Sequence, residues 1–127
     1  MNVFIVQLND QPGELARVAE AVARNGIDIT GFSGATSGGH GTVALLTSDE
    51  AGTRAALSEG GFNAREVEVT TVSLVNRPGA LAEAARKLAD AGINIETAMP
   101  TGMAGSDVMV AFATDQPARA QSVLGGG

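Results

Sequence analysis

The sequence predicts an α+β protein made of two βαββαβ units in tandem, the second of which lacks its last strand. The first observation is a repeated turn, because the sequence DQPGELA at residues 10–16 returns as NRPGALA at residues 76–82. The same shift of 66 residues also aligns the segment GIDI at residues 26–29 with GINI at residues 92–95. Two copies at constant spacing therefore fill the chain.

Each copy opens with a strand that runs into a helix. Residues 3–8 form a short apolar run rich in β-branched side chains, and the turn at residues 10–13 brings a proline suited to a first helical turn. Gly26 and Gly92 are candidate C-terminal caps of the two helices. The helices are predicted from apolar residues at helical spacing, which are Leu15, Val18, Ala19, Val22 and Ala23 in the first copy and Leu81, Ala84, Ala85, Leu88 and Ala89 in the second.

A hairpin, a second helix and a final strand complete the first copy. Strands are predicted at residues 27–35 and 42–47, joined by the glycine-rich tip at residues 37–41. Asp49 is placed to cap the second helix, and the alternating pattern of residues 64–69 predicts a half-buried strand.

The second copy follows the same order but stops early. Its hairpin tip is predicted at residues 103–106, and Asp115 and Pro117 are placed at the start of its second helix. The copy ends at residues 124–127, where the first copy continues into its last strand. The apolar strand at residues 69–75 therefore needs another partner. Either residues 64–75 form one strand that ends the first unit and begins the second, or a second chain adds a strand. We expect a homodimer.

Composition restricts the classes of function. The chain has 127 residues, and the shift of 66 residues divides it into two predicted domains of about 60 residues each, at residues 1–66 and 67–127. Its net charge of -6 without a basic stripe argues against nucleic acid as a partner. Cysteine is absent, so thiolate catalysis and thiolate metal sites are excluded. No signal peptide is recognised at the N-terminus and no apolar run is long enough to span a bilayer, so we expect a cytoplasmic protein with no membrane partner.

The repeated element resembles the ACT domain family. Its marks are N/D-x-P-G-x-L after a strand, followed beyond the helix by G-I-N/D-I, twice at identical spacing. The resemblance implies a stand-alone tandem ACT protein of ferredoxin-like fold that binds a small molecule, most often an amino acid, where two ACT domains meet. It also implies allosteric regulation of an enzyme.

The resemblance further implies two ligand-binding asparagines. In serine-sensing ACT domains, the asparagine before the R-P-G turn and the asparagine of the G-x-N-I segment touch the ligand, and the matching residues here are Asn76 and Asn94. Such domains carry a histidine where this chain has Leu74, which weakens serine as the ligand. In the first copy the matching residues are Asp10 and Asp28, whose charge would repel a carboxylate. We therefore expect the second copy to bind a neutral amino acid more tightly.

The chemistry of the turn supports a binding site independently of the family. Glycine permits close approach, and the N–H groups of a first helical turn favour an anion such as a carboxylate. Asn76 can donate and accept hydrogen bonds. The predicted ligand-binding residues are Asn76, Arg77, Pro78, Gly79, Ala80, Leu81, Asn94 and Ile95 in the second copy and Asp10, Gln11, Pro12, Gly13, Glu14, Leu15, Asp28 and Ile29 in the first.

Simpler interpretations compete with several of these residues. Asp or Asn before a Pro-Gly turn is also an ordinary way to start a helix, and an arginine such as Arg77 is most often simply solvated. His40 has no companions for a metal or catalytic site, so we expect a solvated hairpin tip. The glycine-rich residues 34–41 lack the ending of a phosphate-binding loop. The methionines of the second hairpin, Met99, Met103 and Met109, are better explained as core filling than as a pocket.

Three functional classes follow, with no cofactor in any of them. The favoured one is a regulatory protein that binds an amino acid, and the alternative is a dissociable regulatory subunit of an amino-acid biosynthetic enzyme. An enzyme is disfavoured, because the sequence shows no nucleophile with a base, no metal cluster and no paired catalytic acids.

Overall fold

The computed structural model describes residues 1–125, which form two compact units. The first unit is Asn2–Val67, and the second is Met1 together with the chain from Glu68 onward. Gly126 and Gly127, which belong to the predicted end of the second copy, lie outside the described residues.

The first unit has the predicted order of elements. They are β1 Asn2–Asn9, α1 Glu14–Ala23, β2 Ile29–Ser37, β3 His40–Thr47, α2 Glu50–Glu59 and the first residues of β4 Ala64–Leu74. Strand β3 lies between β2 and β1 and pairs with both in antiparallel register, and β4 lies on the other side of β1. The Gln7 N–H donates to the Asn63 carbonyl oxygen at 2.9 Å at this edge. The βαββαβ prediction is confirmed for this unit.

Up to residue 125, the second unit repeats the same order of elements without a final strand. It contains the rest of β4, α3 Ala80–Asp90, β5 Ile95–Ala104, β6 Asp107–Thr114 and α4 Pro117–Ala120, which continues as a π-helical turn at Gln121–Gly125. Strand β6 pairs in antiparallel register with both β4 and β5. Within residues 1–125 no strand follows α4, as predicted. Strand β4 runs without interruption from Ala64 to Leu74, so it ends one unit and begins the next.

Each unit has its own core between sheet and helices. In the first unit Val18 and Val22 of α1 pack with Phe4 and Leu45, and in the second Leu88 of α3 packs with Phe112. None of these six residues is more than 1% exposed.

The first apolar residue of each helical pattern lies outside the buried face of its helix. Leu15 and Leu81 are 52% and 56% exposed, whereas the residues directly before them, Glu14 and Ala80, are buried. Glu14 and Ala80 therefore begin the inward-facing stripe of the two helices. Among the methionines, Met99 is 1% exposed, which agrees with core filling, but Met103 is 58% exposed.

Two predicted helix starts also need correction. Asp49 caps α2 as predicted, because its Oδ1 accepts from the Gly52 N–H at 2.9 Å. Asp115 does not cap α4, whose N-cap is Gln116; its Oδ1 instead accepts from the Asn94 N–H at 2.9 Å. Pro12 and Pro78 lie one residue before the N-cap rather than in the first helical turn, because each helix begins only after a glycine.

Candidate functional site

The turns before α1 and α3 have the same backbone geometry. Gly13 and Gly79 are the N-cap residues, and each has a φ of 89°, in the left-handed region that favours glycine. Neither helix has a side-chain hydrogen bond at its N-cap. Helix capping therefore does not account for Asp10 and Asn76.

A cavity of about 300 Å³ lies in the second unit beside the start of α3. We call it the second-unit cavity. Its walls come from strand residues, which include Leu74, Ala98, Met99, Pro100, Val108 and Val110, and from Val75, Asn76, Arg77, Ala80 and Leu81 at the turn and helix start. Val75 and Leu81 are more than half exposed, which is unusual for large apolar side chains next to a cavity. The site is thus apolar, with its polar groups at one end.

Arg77 supplies the positive charge at this end. Its Nη2 donates to Glu83 Oε1 at 3.0 Å and Oε2 at 2.8 Å, and its Nη1 donates to the Pro78 carbonyl oxygen at 3.3 Å. The two charged side chains are 49% and 60% exposed. An ion pair with this exposure contributes little to stability, so the guanidinium can exchange Glu83 for an anionic ligand at small cost.

The first unit contains a cavity at the corresponding place, with a volume of about 450 Å³. We call it the first-unit cavity. Leu8, Gln11, Leu15 and Phe32 line it, and a shift of 66 residues takes them to Leu74, Arg77, Leu81 and Ala98 of the second-unit cavity. The internal repeat therefore extends from the sequence to the cavities.

Glu14 distinguishes the first-unit cavity. Its Oε1 accepts from the Asn9 N–H at 3.0 Å, and its Oε2 accepts from Arg17 Nε at 3.2 Å. These bonds, the one from Asn9 first, lower the pKa of the Glu14 carboxyl below its ordinary value. Arg17 also lies over the Phe62 ring, 4.3 Å from its centre, which holds the guanidinium in place. The carboxylate is therefore ionised and fixed.

The structure separates some of the predicted site residues. Asn76, Arg77, Ala80 and Leu81 line the second-unit cavity together, whereas Asn94 and Ile95 line a different depression with Ala82, Ala85, Arg86, Ala89 and Ile93. The linings do not include Pro78 and Gly79, which shape the turn.

In the first unit, too, only some of the predicted site residues line the cavity. Gln11, Gly13, Glu14 and Leu15 line the first-unit cavity, and neither Asp10 nor Asp28 is among its lining residues. Asp28 is exposed, and its N–H donates to Ser48 Oγ at 3.0 Å. Ile29 begins β2 and packs against the core, and Pro12 precedes the N-cap.

Several wall residues were not predicted from the sequence. Ala98, Pro100 and Val108 belong to β5 and β6 and line the second-unit cavity. In sequence they are ordinary strand residues of a hairpin, so no chemical signal marks them. The one usable signal was the shift of 66 residues, which places Phe32 and Ala98 at equivalent positions.

The fold accounts for the remaining candidates, although His40 also lines a further cavity of the first unit together with Asn9, Glu14 and Arg17. His40 begins β3 and is exposed, in agreement with a solvated hairpin end. Gly38 and Gly39 form the hairpin turn with φ of 63° and 86°, which explains the glycines as turn residues. Within residues 1–125 no group of three metal-ligating side chains comes together, and no helix there has the length and apolar character needed to cross a membrane.

Comparison with known proteins identifies relatives of the chain. The family model described as the ACT domain matches residues 2–59 and 69–99. No curated protein sequence gives a significant match. Among solved structures, protein BT0572 from Bacteroides thetaiotaomicron is 25% identical, with a TM-score of 0.79 over 98% of this chain and 86% of that chain.

Two further structures share the fold at lower identity. The regulatory subunit of aspartate kinase from Thermus thermophilus, in a ligand-free form, is 20% identical, with a TM-score of 0.66 over 98% of this chain and 89% of that chain. The regulatory subunit of aspartate kinase from Thermus flavus is 23% identical, with a TM-score of 0.63 over 96% of this chain and 86% of that chain.

Proposed function

Because the chain belongs to the ACT domain family, we propose that it is a regulatory protein that binds an amino acid in the second-unit cavity. The observation that carries the proposal is the combination of an apolar cavity of about 300 Å³ with Asn76 and Arg77 at one end. Ligand pockets commonly have mostly apolar walls and a few polar groups that orient the ligand. The proposed role is regulation rather than catalysis.

The charges and walls of the cavity favour an amino acid with an aliphatic side chain. The Arg77 guanidinium can form paired hydrogen bonds with a carboxylate, and the Asn76 side chain can accept from an ammonium group. The side chain of the ligand would then contact Met99 and Val110, which are 1% and 7% exposed. Burial of its apolar surface would add to the affinity.

We further propose residues 1–66 and 67–127 as ACT domains 1 and 2, with the ligand at an interface between ACT domains in a homodimer. Exposed Val75 and Leu81 beside the second-unit cavity support an interface, since they leave apolar surface for a partner to cover. Asn94 lies in a different depression, so it would reach a ligand in the second-unit cavity from a second copy of the chain. Light scattering that finds a monomer at all concentrations would contradict the homodimer.

A thermal-shift screen against the twenty amino acids tests the ligand proposal. A ligand at a hundredfold excess over its dissociation constant stabilises the folded protein by about 2.7 kcal/mol, which is readily measured. The binding amino acid is then titrated by calorimetry into the parent, Arg77→Gln and Asn76→Ala. We expect both variants to bind at least tenfold more weakly, which corresponds to about 1.4 kcal/mol.

Lys87→Gln is the matched control, because it removes one exposed positive charge from α3, the helix that follows Arg77, without altering the cavity lining. It should bind like the parent. If Arg77→Gln, Asn76→Ala and Lys87→Gln all retain full affinity, the ligand does not occupy this cavity.

A dissociable regulatory subunit of an amino-acid biosynthetic enzyme is the second candidate. The two structures named as aspartate kinase regulatory subunits share this fold over nearly the whole chain, which suggests the first enzyme to test. The test adds the purified chain to an aspartate kinase catalytic subunit from the same source and measures activity with and without the amino acid found in the screen. Unchanged activity and separate elution on size exclusion would argue against that partner.

A further inference from the structure

The two cavities differ most at a single pair of corresponding residues, Glu14 and Ala80. Both are the first residue of their helix, and both are nearly buried, at 8% and 9% exposed. One carries a carboxylate into the site and the other ends at Cβ. A side-chain carboxylate therefore occupies the first-unit site and not the second-unit site, although the two helices begin with the same backbone geometry.

In the first unit, the Glu14 carboxylate makes the contacts that an anionic ligand would make. It accepts from the Asn9 backbone N–H at 3.0 Å and from the Arg17 guanidinium at 3.2 Å. Both Asn9 and Glu14 line the first-unit cavity, so the bound carboxylate lies at its edge. A charged donor and a backbone donor together hold an anion strongly.

In the second unit the place of Glu14 has no carboxylate, and the helix position of Arg17 has no cation. Val75 stands at the place of Asn9, and within residues 1–125 no side chain accepts a hydrogen bond from its N–H. Glu83 replaces Arg17, and its carboxylate accepts from Arg77, the cation in the turn. The second-unit cavity therefore has no buried carboxylate at the place of Glu14, and the acceptor beside its cation is an exposed glutamate that a ligand carboxylate can replace.

We propose that Glu14 is a built-in carboxylate that occupies the first unit's site, and that the carboxylate of a ligand takes the corresponding place near Val75 and Arg77. The second part rests on the proposed function, whereas the placement of Glu14 does not. Each chain then binds one carboxylate ligand, in its second unit. The identity of residues 14 and 80 decides in which cavity the place of this carboxylate is free for a ligand.

Acetate is the appropriate probe, because replacing Glu by Ala removes a CH₂–COO⁻ group and leaves Cβ. The experiment follows the backbone amide resonances of Asn9 and Val75 by ¹⁵N NMR as sodium acetate is added, with acetamide as the neutral control. In the parent, acetate should shift the Val75 resonance in a saturable manner and leave Asn9 unchanged. In Glu14→Ala, acetate should also shift the Asn9 resonance. The apparent affinity for acetate measured at Asn9 should be at least tenfold higher in this variant than in the parent.

Glu14→Gln controls for the loss of the side chain itself. Its amide oxygen still fills the space beside the Asn9 N–H, so acetate should not shift Asn9. An Asn9 resonance that ignores acetate in folded Glu14→Ala overturns the proposed role of Glu14, even if an amino acid binds elsewhere. If Asn9 responds in Glu14→Ala but Val75 responds to no carboxylate in any variant, the role of Glu14 stands and the ligand assignment in the second unit fails.

Ala80→Glu provides the reciprocal test and does not depend on the folding of Glu14→Ala. The introduced carboxylate should occupy the place beside the Val75 N–H, so acetate should no longer shift the Val75 resonance. In Ala80→Gln, the shift of Val75 by acetate should be reduced to a smaller extent. An Ala80→Glu protein that binds acetate at Val75 as the parent does would also overturn the proposal.

Discussion

Arg54 and Glu66 connect α2 to the first-unit end of β4 through two hydrogen bonds, one of them from Nη2 to Oε2 at 3.0 Å and the other from Nε to Oε1. Asn2 Nδ2 adds a third bond to Glu66 Oε2 at 2.9 Å. The bond from Arg54, followed by that from Asn2, lowers the pKa of the Glu66 carboxyl. The ionised form is therefore preferred in the folded state.

This pairing predicts a defined pH dependence of stability. Because the folded-state pKa of Glu66 is lowered, its contribution is fully present above the unfolded pKa of about 4.3 and is lost as the pH falls through the folded-state pKa. Glu66→Gln should be less stable than the parent at pH 7, and the difference should shrink in acid. Urea denaturation across this pH range checks it, with Glu68→Gln, exposed on the same strand, as the control. A difference independent of pH would contradict the prediction.

Leu81 and Leu88 provide a matched pair on α3. Leu88→Ala should lower the free energy of unfolding by about 2–5 kcal/mol, because Leu88 is 0% exposed and packs in the second-unit core. Leu81→Ala should change it by less than about 0.5 kcal/mol in the absence of ligand, because Leu81 is 56% exposed. Urea denaturation measures both. Equal losses would mean that Leu81 is part of the core.

Ala98 lines the second-unit cavity. The first unit has Phe32 at the corresponding position, and Ala98→Phe should fill part of the space beside Leu81. We expect calorimetry to show about tenfold weaker amino-acid binding, or about 1.4 kcal/mol. Ala104→Phe, at the far end of the same strand and outside the cavity lining, is the control. Unchanged affinity in Ala98→Phe would place the ligand elsewhere.

Asp49 should contribute to stability through its cap of α2. Asp49→Ala is expected to lower the free energy of unfolding by about 0.5–2 kcal/mol, because the Gly52 N–H loses its acceptor. Asp49→Asn retains a side-chain oxygen at the same place and should restore most of the loss. Thermal denaturation of the three proteins decides the matter. If the asparagine variant is as unstable as the alanine variant, capping is not the source of the effect.

The order of elements could be predicted because its signals are local. Pro78 and Gly79 interrupt an apolar run, and the hairpin glycines Gly38 and Gly39 adopt the positive φ values that such a turn requires. Because the two copies align at a constant shift of 66 residues, an element predicted in one copy could also be predicted at the matching place in the other. Helix faces were less certain, because an apolar residue at helical spacing lies either in the core or at the edge of a cavity, as Leu81 does.

The site was harder to predict than the fold because it depends on residues far apart in sequence. Asn76 and Asn94 belong to the same repeated motif, yet they line different depressions of the second unit. Asp115 has the residue type of a helix cap, but its carboxylate binds the Asn94 N–H across the sheet end. Neither relationship has a signature in the local spacing of the residues, and the second depends on the pairing of β5 with β6, which brings residues 94 and 115 together.

Under the proposed function, the fixed Glu14 carboxylate limits how steeply ligand binding can depend on the concentration of the ligand. A chain whose duplicate half is satisfied by its own side chain contributes one saturable site, so the Hill coefficient cannot exceed the number of chains in the assembly. In the proposed homodimer the dose–response curve is therefore limited to a coefficient of two.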